Sequence, residues 1–426
     1  MNICIVGAGY VGITTAAVLA ELGHIVYCTD RIANKIARLN KGEIPIYEPG
    51  LEELVARGIQ NGTLFFDTEV RAHMAACPIV MIAVGTPPRK DGSADMSYLD
   101  SVVADLAASI RSHTIVIVKS TVPPGQSDWI ESRLHEAGVP EQWVDVVSNP
   151  EFLREGTALK DSIHPDRIVI GAKSEQASRV VKEMYRSIES EYVLTDRIDA
   201  EMIKYVSNAF LAIKISFINE IARLCEAFGA DVTTVAKGVG LDQRIGPRFL
   251  QAGLGYGGSC LPKDINALSY VAGTKGVKLK MLHAARTINR TQLDVYLHKL
   301  KQALDGNDQP TIAVWGATFK ENTDDTRFSQ AIAFMKKLVR QGWKVKAYDP
   351  LVSPPIRGVS WSQHPYEAIV GADALVLATG WDELIHADWA SVSEQMKGNV
   401  VLDGRNLLDS TLLEAAGLRY VGVGRS

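Results

Sequence analysis

Short apolar runs alternate with helix-patterned stretches from the first residues onward. Asn2 to Val6 is an apolar run closed by a glycine, Ile13 to Leu22 reads as a helix stopped by Gly23, and Ile25 to Thr29 is a second strand closed by Asp30. This is a β-α-β unit. Further apolar runs predict strands at Ile79–Val84, Ile115–Val118, Val144–Ser148 and Ile168–Ile170, so a parallel, doubly wound sheet is expected through about residue 196. The period then changes. From about Asp199 to Phe228 the pattern is helical and free of proline, ending at Gly229. Thirty helical residues extend about 45 Å, more than one small domain needs. Such a helix links two domains, and Phe210, Leu211, Ile213, Phe217, Ile218 and Ile221 along it are candidates to meet a second subunit.

Helical patterning resumes over Val232–Val239 and from about Pro262 to Leu300, before a polar, turn-rich linker at Asp305–Pro310. After the linker the opening pattern recurs. Strand Thr311–Trp315, Gly316, a longer loop, helix Gln330–Arg340, Gly342 and strand Lys344–Tyr348 lead to Asp349, and Ala374–Ala378 before Gly380 echoes Ile79–Val84 before Gly85. The expected fold class is therefore α/β: two Rossmann-like, doubly wound parallel-sheet domains joined by a long central helix and a helical middle domain. The boundaries expected are 1–196, 197–304 and 305–426, and 426 residues suit two or three cores.

Bulk composition narrows the function classes. Net charge is −4, and Lys and Arg are interspersed with Asp and Glu, so no nucleic-acid surface is expected. No apolar run reaches membrane-spanning length, and with an apolar strand beginning at residue 2 no leader is expected. Five cysteines without CxxC spacing fit neither a disulfide framework nor a zinc site, and the histidines lack metal-ligand spacing. A reducing cytoplasm and no metal are the expectations.

Gly7-Ala8-Gly9-Tyr10-Val11-Gly12 follows a strand and opens a helix, with Asp30 about 20 residues on. The first glycine permits a tight turn, the second lets backbone approach a pyrophosphate, and the third lets helix pack on strand. Asp30 would take the adenosine ribose hydroxyls and repel a 2′-phosphate, favouring NAD. Arg31 blurs this preference, because an adjacent guanidinium could welcome such a phosphate.

Cys260 stands apart from the other cysteines. Cys4 and Cys28 fall in core strands, Cys225 in the long helix and Cys77 before Pro78, whereas Gly257, Gly258 and Ser259 precede Cys260 at a helix start marked by Pro262. A thiol there beside Lys263 should be reactive, and Asp264 could relay a proton; a buried packing thiol is the alternative. Lys204 and Asn208, spaced i, i+4, could hold an oxyanion or be solvated surface. Asn149 to Gly156 follows a strand at the ligand-binding edge, where Glu151 or Glu155 could be a base or a cap. Lys119 to Gly125 offers a hydroxyl or is an ordinary proline turn, and Lys320 and Arg327 could meet phosphates or be unspecific cations.

Taken in order, these stretches resemble the UDP-glucose/GDP-mannose dehydrogenase family over nearly the whole chain. The matching strings are GAGYVG, YEPGL around Glu48, VGTPP around Thr86, KSTVPPG, NPEFLREGTA, Lys204 to Asn208, GLDQRIG, GYGGSCLPKD, FKENTDDTR and DGRN. The resemblance implies that Cys260 is the nucleophile, assisted by Lys204, Asn208 and Asp264, with Glu151 and Thr121 helping to activate water. It implies NAD contacts from Gly7, Gly9, Tyr10, Val11, Gly12, Asp30, Lys35, Thr86, Thr121, Glu155, Lys263 and Arg327. For the nucleotide sugar it implies Glu151, Phe152, Leu153, Arg154, Glu155, Lys204, Asn208, Phe249, Leu250, Gln251, Ala252, Gly253, Gly257, Lys320 and Arg405, with Arg244 reaching the substrate of a neighbouring subunit. The three segments become an NAD-binding domain, a central dimerisation and catalytic domain, and a UDP-sugar-binding domain. A homodimer or larger assembly through the central helices follows. One departure is visible: after Arg327 the family commonly continues Glu-Ser-Pro, whereas this chain has Phe328-Ser329-Gln330.

The expected reaction is a four-electron oxidation of UDP-glucose C6 to UDP-glucuronate. One dinucleotide site must serve two hydride removals, and a thiohemiacetal followed by a thioester on Cys260 would retain the aldehyde between them. GLDQRIG leans towards UDP-glucose, while GGSCLPKD is shared with the GDP-mannose branch. GDP-mannose, a UDP-N-acetylhexosamine, a two-electron hydroxyacid-type dehydrogenase and a non-catalytic nucleotide-binding regulator stand as alternatives.

Overall fold

A computed structural model describes residues 1–425. They form two compact units: Met1–Ser207 with Asn266–Gly276, and Asn208–Ile265 with Val277 onward. The first unit is built on β1 (Asn2–Val6), β2 (Ile25–Thr29), β3 (Leu64–Asp67), β4 (Ile79–Ile82), β5 (Thr114–Val118), β6 (Val144–Ser148), β7 (Ile168–Ala172) and β8 (Tyr192–Thr195). They lie in the order β3-β2-β1-β4-β5-β6-β7-β8. Alternation along β1 explains why helices cover both faces. Ile3 and Ile5 pack in one core with Ile13 and Leu19 of helix Tyr10–Glu21, while Cys4 and Val6 join the opposite core with Val102 and Leu106 of helix Ser97–Ser109.

Two features depart from the sequence pattern. The final pair of strands reverses direction: β7 runs antiparallel to β6, with Val147 opposite Ala172, and β8 follows β7 in parallel. The connection from β6 to β7 carries only the six-residue helix Ala158–Ile163, about 9 Å long, where the crossover from β1 to β2 carries a helix of 12 residues. The sheet is thus parallel through β6 and mixed at its end. Strands β3 and β8 were hidden because edge strands are short and half exposed; Phe65, Val193 and Leu194 all face solvent.

The second unit holds β9 (Thr311–Trp315), β10 (Lys344–Tyr348), β11 (Val359–Trp361), β12 (Ala374–Leu377), β13 (Val400–Asp403) and β14 (Arg419–Val421), all parallel. Their order, β11-β10-β9-β12-β13-β14, repeats the first six strands of the other sheet. In each unit the strand order reverses beside the first strand, and the crevice at that switch point is where ligands bind in such folds.

Helix Arg197–Phe228 contributes its first residues to one unit and the remainder to the other. Phe210 and Phe217 point to solvent, as does Leu224, but Ile218 is sealed in the core of the second unit and is no candidate for a subunit contact. Among the described residues no helix is long and apolar enough to cross a membrane.

Candidate active site

In the first unit the glycine loop has the shape a dinucleotide requires. Gly7 has φ +108°, and a side chain there would sit 2.6 Å from the Ala83 carbonyl; at Gly12 a Cβ would overlap the Gly7 carbonyl. Gly9, by contrast, has nothing within 4 Å of a would-be Cβ. The following helix starts at Tyr10, three residues earlier than its apolar pattern indicates, and Gly9 caps it without a side-chain hydrogen bond. Its first N–H groups are therefore left for an anion such as a pyrophosphate. Asp30 accepts the Ala8 amide at 3.1 Å, the Ile32 amide at 3.0 Å and Lys35 Nζ at 2.7 Å. The carboxylate thus sits at the loop, as ribose recognition needs, and Lys35 is attached to it. The residues fit NAD.

Glu48 ties this loop to the segment after β6. Buried, it accepts the Tyr10 hydroxyl, the Gly156 amide at 2.6 Å and the Leu159 amide at 3.3 Å. Burial raises the Tyr10 hydroxyl pKa, and its bond to the Glu48 carboxylate raises it further. Sequence reasoning quoted YEPGL but gave its acid no role. Thr86 Oγ1 donates to the Thr121 carbonyl at 2.9 Å, joining the loops after β4 and β5. Glu201, one turn before Lys204, accepts the Gly125 amide at 2.6 Å and the Ser127 amide at 2.8 Å, fixing the proline-containing loop to the long helix.

Lys204 and Glu151 are the centre of this half. Both are buried, with Nζ 2.9 Å from Oε1, so the solvated-surface reading of Lys204 is overturned. Glu151 Oε2 also accepts the Leu153 amide at 2.6 Å. Burial pushes the Glu151 pKa up, but the Lys204 charge and hydrogen bond, the Leu153 amide and the Lys119 charge together hold it below the usual glutamate range. Lys119 donates to Asn149 Oδ1 at 3.1 Å, and desolvation brings it down to about 8. Tyr185 donates to the same Asn149 oxygen at 2.9 Å. Lys119 and Asn149 open the KSTVPPG and NPEFLREGTA strings without any role of their own being legible there, and Tyr185 carries no signal in the sequence at all. Phe152 lies beneath the Arg167 guanidinium at 3.8 Å. Arg154 is drawn into a two-pronged pair with Asp161 at 2.9 and 2.5 Å. Glu155 is buried beside them in the chain.

In the second unit Cys260 immediately precedes helix Leu261–Thr274, its carbonyl accepting the Asp264 amide at 2.9 Å. Its sulfur lies 3.6 Å from Ser259 Oγ, and the residue is half-buried, whereas the other four cysteines are buried. Burial lifts Cys4 to about 12 and Cys77 to about 11, keeping them as inert thiols. Asp264 is 1% exposed and accepts Asn208 Nδ2 at 2.5 Å and Lys263 Nζ at 2.5 Å. Asn208 is buried too, and the bond to Asp264 uses one N–H of its amide.

The loop carrying the thiol is clamped from two sides. Asn289 accepts the Tyr256 amide at 2.8 Å and donates to its carbonyl at 3.1 Å. Gly258 donates to the Arg327 carbonyl at 3.0 Å, and Gly257 has no room for a Cβ against the Phe328 carbonyl. The departing Phe328-Ser329-Gln330 run is therefore in direct contact with the cysteine loop. Phe328 is left-handed at φ +51°, Ser329 caps helix Gln330–Arg340, and Gln330 Nε2 donates to the Tyr256 carbonyl at 3.1 Å. A proline at position 330 would lack that last bond.

Leu250 and Ala252 turn their side chains into the core, so the run from Phe249 to Gly253 offers mainly backbone, Phe249 and Gln251 to a ligand. Gly253 itself is pinned by Asn219 at 2.8 Å and Gln292 at 3.0 Å. Arg405 donates to the Ala378 carbonyl at 2.9 Å and the Phe319 carbonyl at 2.6 Å, next to Lys320. Arg327 is paired with Asp325 at 2.8 Å, and Arg244 with Asp242 at 2.6 Å on a side chain 89% exposed.

A doubly wound sheet with an open glycine loop and an acid held at that loop is the architecture of a dinucleotide-binding domain. Family models for the NAD binding domain, the central domain and the UDP binding domain match residues 1–189, 198–291 and 313–410. The chain belongs to the UDP-glucose/GDP-mannose dehydrogenase family. It is 44% identical over 436 residues to a UDP-glucose 6-dehydrogenase of Rhizobium meliloti, covering 100% of both chains. It is 40% identical over 442 residues to a UDP-glucose 6-dehydrogenase of Pseudomonas aeruginosa, covering 100% of this chain and 98% of that one. The structure of a UDP-glucose dehydrogenase from the archaeon Pyrobaculum islandicum aligns with a TM-score of 0.92 at 36% identity, covering 100% of this chain and 98% of the other. This chain is an NAD-dependent nucleotide-sugar 6-dehydrogenase.

Proposed function

We propose that the chain oxidises UDP-glucose at C6 to UDP-glucuronate, through a covalent adduct on Cys260. The observation that carries this reading is the placement of Cys260: a half-buried cysteine at a helix start, in a glycine loop, with a buried Asp264 one turn on. The names of the relatives support the sugar.

NAD, when bound, supplies the oxidant by accepting a hydride from C6 in each of two successive oxidations. Asp264, held between Asn208 and Lys263, accepts the proton of the C6 hydroxyl through water, while the Lys204 ammonium steadies the charge developing on that oxygen. The Cys260 sulfur then bonds to the aldehyde carbon, giving a thiohemiacetal whose oxygen Lys204 and Asn208 stabilise. Removal of the second hydride leaves a thioester. Glu151, kept ionised by Lys204 and Lys119, orients the water that breaks the carbon–sulfur bond, with Thr121 assisting, and the thiol is regenerated with release of the acid. Arg405 and Lys320 face the nucleotide in this scheme, and Arg244, projecting from the surface, serves a neighbouring subunit. We extend the proposal to a three-part division at residues 196 and 304, a homodimer formed through the exposed Phe210 and Phe217 face, and a cytoplasmic setting.

The test is stoichiometry. Native protein with UDP-glucose should yield two NADH per sugar, and Cys260→Ser should halt as an ester or after the first oxidation. Two NADH per sugar from Cys260→Ser would sink the nucleophile. A parallel panel with GDP-mannose and UDP-N-acetylhexosamines reads the sugar preference directly.

A further inference from the structure

Arg31 follows the ribose-binding acid, the position from which a guanidinium can accept an adenosine 2′-phosphate. The structure shows what else that guanidinium does. It donates to Asp105 through one nitrogen and to Ser101 Oγ at 2.6 Å through the other, both residues on helix Ser97–Ser109. Asp105 has only 6% of its side chain exposed and takes a second arginine, Arg71, at 2.7 Å. A second cation, Lys35, is attached to Asp30 itself. Neither cation beside the ribose acid stands open to a further negative charge.

We propose that Asp105 determines the preference for NAD over NADP by occupying the Arg31 guanidinium. An exposed arginine pair is ordinarily weak, and 57% of the Arg31 side chain reaches solvent. The hold comes from the other partner. To serve a 2′-phosphate, Arg31 must leave a buried carboxylate with Arg71 alone, and stripping partners from a buried charge is costly. Asp30 simultaneously repels the phosphate. Discrimination therefore combines a repulsive group with the sequestration of the attractive one, a difference of affinities rather than an added contact for NAD. The inference concerns the cofactor alone and stands apart from the chemistry proposed at Cys260.

The experiment is a fluorescence titration of the whole chain with NADH and with NADPH, without any sugar nucleotide. Arg31→Ala, which removes no buried group, should leave the ratio of the two affinities unchanged. Asp105→Ala should raise NADPH affinity relative to NADH by ~10-fold, and the double variant Asp105→Ala/Arg31→Ala should lose that gain. A fall in relative NADPH affinity in Arg31→Ala alone would mean the guanidinium already serves the phosphate, and overturns the proposal. So does an unchanged ratio in folded Asp105→Ala, or a gain that persists without Arg31. Should Asp105→Ala fail to fold, the Arg31→Ala ratio still decides between the two states of the guanidinium.

Discussion

Glu151 Oε1 lies 2.9 Å from Lys204 Nζ, with 6% and 4% of the two side chains exposed. An acid on the loop after β6 and a base on the long helix are thus committed to each other inside the protein. Each would be expensive to bury alone. Replacing Lys204 with Met should cost ~3 kcal/mol at neutral pH, because the carboxylate then remains buried with fewer partners. Lys204→Met/Glu151→Gln should recover ~1 kcal/mol or more of that loss. Denaturant melts of the singles and the double measure it, and strict additivity would refute the pairing. The native contribution is complete above the ordinary glutamate value of 4.5 and is lost as pH falls through the depressed folded value.

Lys119 gives a second pH signature of opposite placement. Its pKa drops from 10.5 to about 8 because folding desolvates the ammonium. Between those values the unfolded chain holds more protons than the folded one, so stability rises with pH across that window. Native protein should gain stability from pH 8 to 10.5, and Lys119→Met should lose that gain. Equal pH slopes in the two proteins would show that Lys119 is not desolvated.

Glu48 joins the glycine loop to the segment after β6 through Tyr10 and Gly156. Glu48→Gln keeps the volume but sets an amide NH₂ against backbone donors, costing about 1–3 kcal/mol. The variant should bind NADH ~10-fold more weakly, because the clamp on the helix start loosens. Tyr10→Phe should weaken it less, since Gly156 and Leu159 still reach the carboxylate. Calorimetric titration with NADH checks both, and a larger loss in Tyr10→Phe would contradict the order.

Gly257 packs where any Cβ would strike the Phe328 carbonyl. Gly257→Ala must displace the cysteine loop, and a shift approaching 1 Å can lower kcat by ~100-fold. NADH binding to the glycine loop near residue 9 should be unaffected. Gly238 is the control: it lies in helix Val232–Gly240 with nothing within 4 Å, so Gly238→Ala should be neutral or stabilising by up to ~1 kcal/mol. Steady-state kinetics and melts on the two variants separate position from helix propensity.

Local patterning was enough for much of this protein. Apolar runs bounded by glycine locate β1, β2, β9 and β10, one ending at Asn149-Pro150 locates β6, and the proline-free stretch announces the long helix, because burial on both faces leaves an unbroken hydrophobic signal. Spacing alone marks Gly7, Gly9, Gly12 and Asp30, since backbone turns and ribose recognition demand fixed residue types at fixed separations. Cys260 stands out for the same reason. What needed tertiary structure was pairing between distant segments. The reversal of β7 lies in its pairing with β6, which no pattern within either strand specifies, and the edge strands depend on neighbours rather than on their own composition. Whether Lys204 is surface or core is decided by Glu151, 53 positions earlier, and whether Arg31 is available is decided by Asp105, 74 positions later. A charge carries no mark of its partner in the chain; its chemistry is set by what folding brings within a few ångströms and by how much water folding removes.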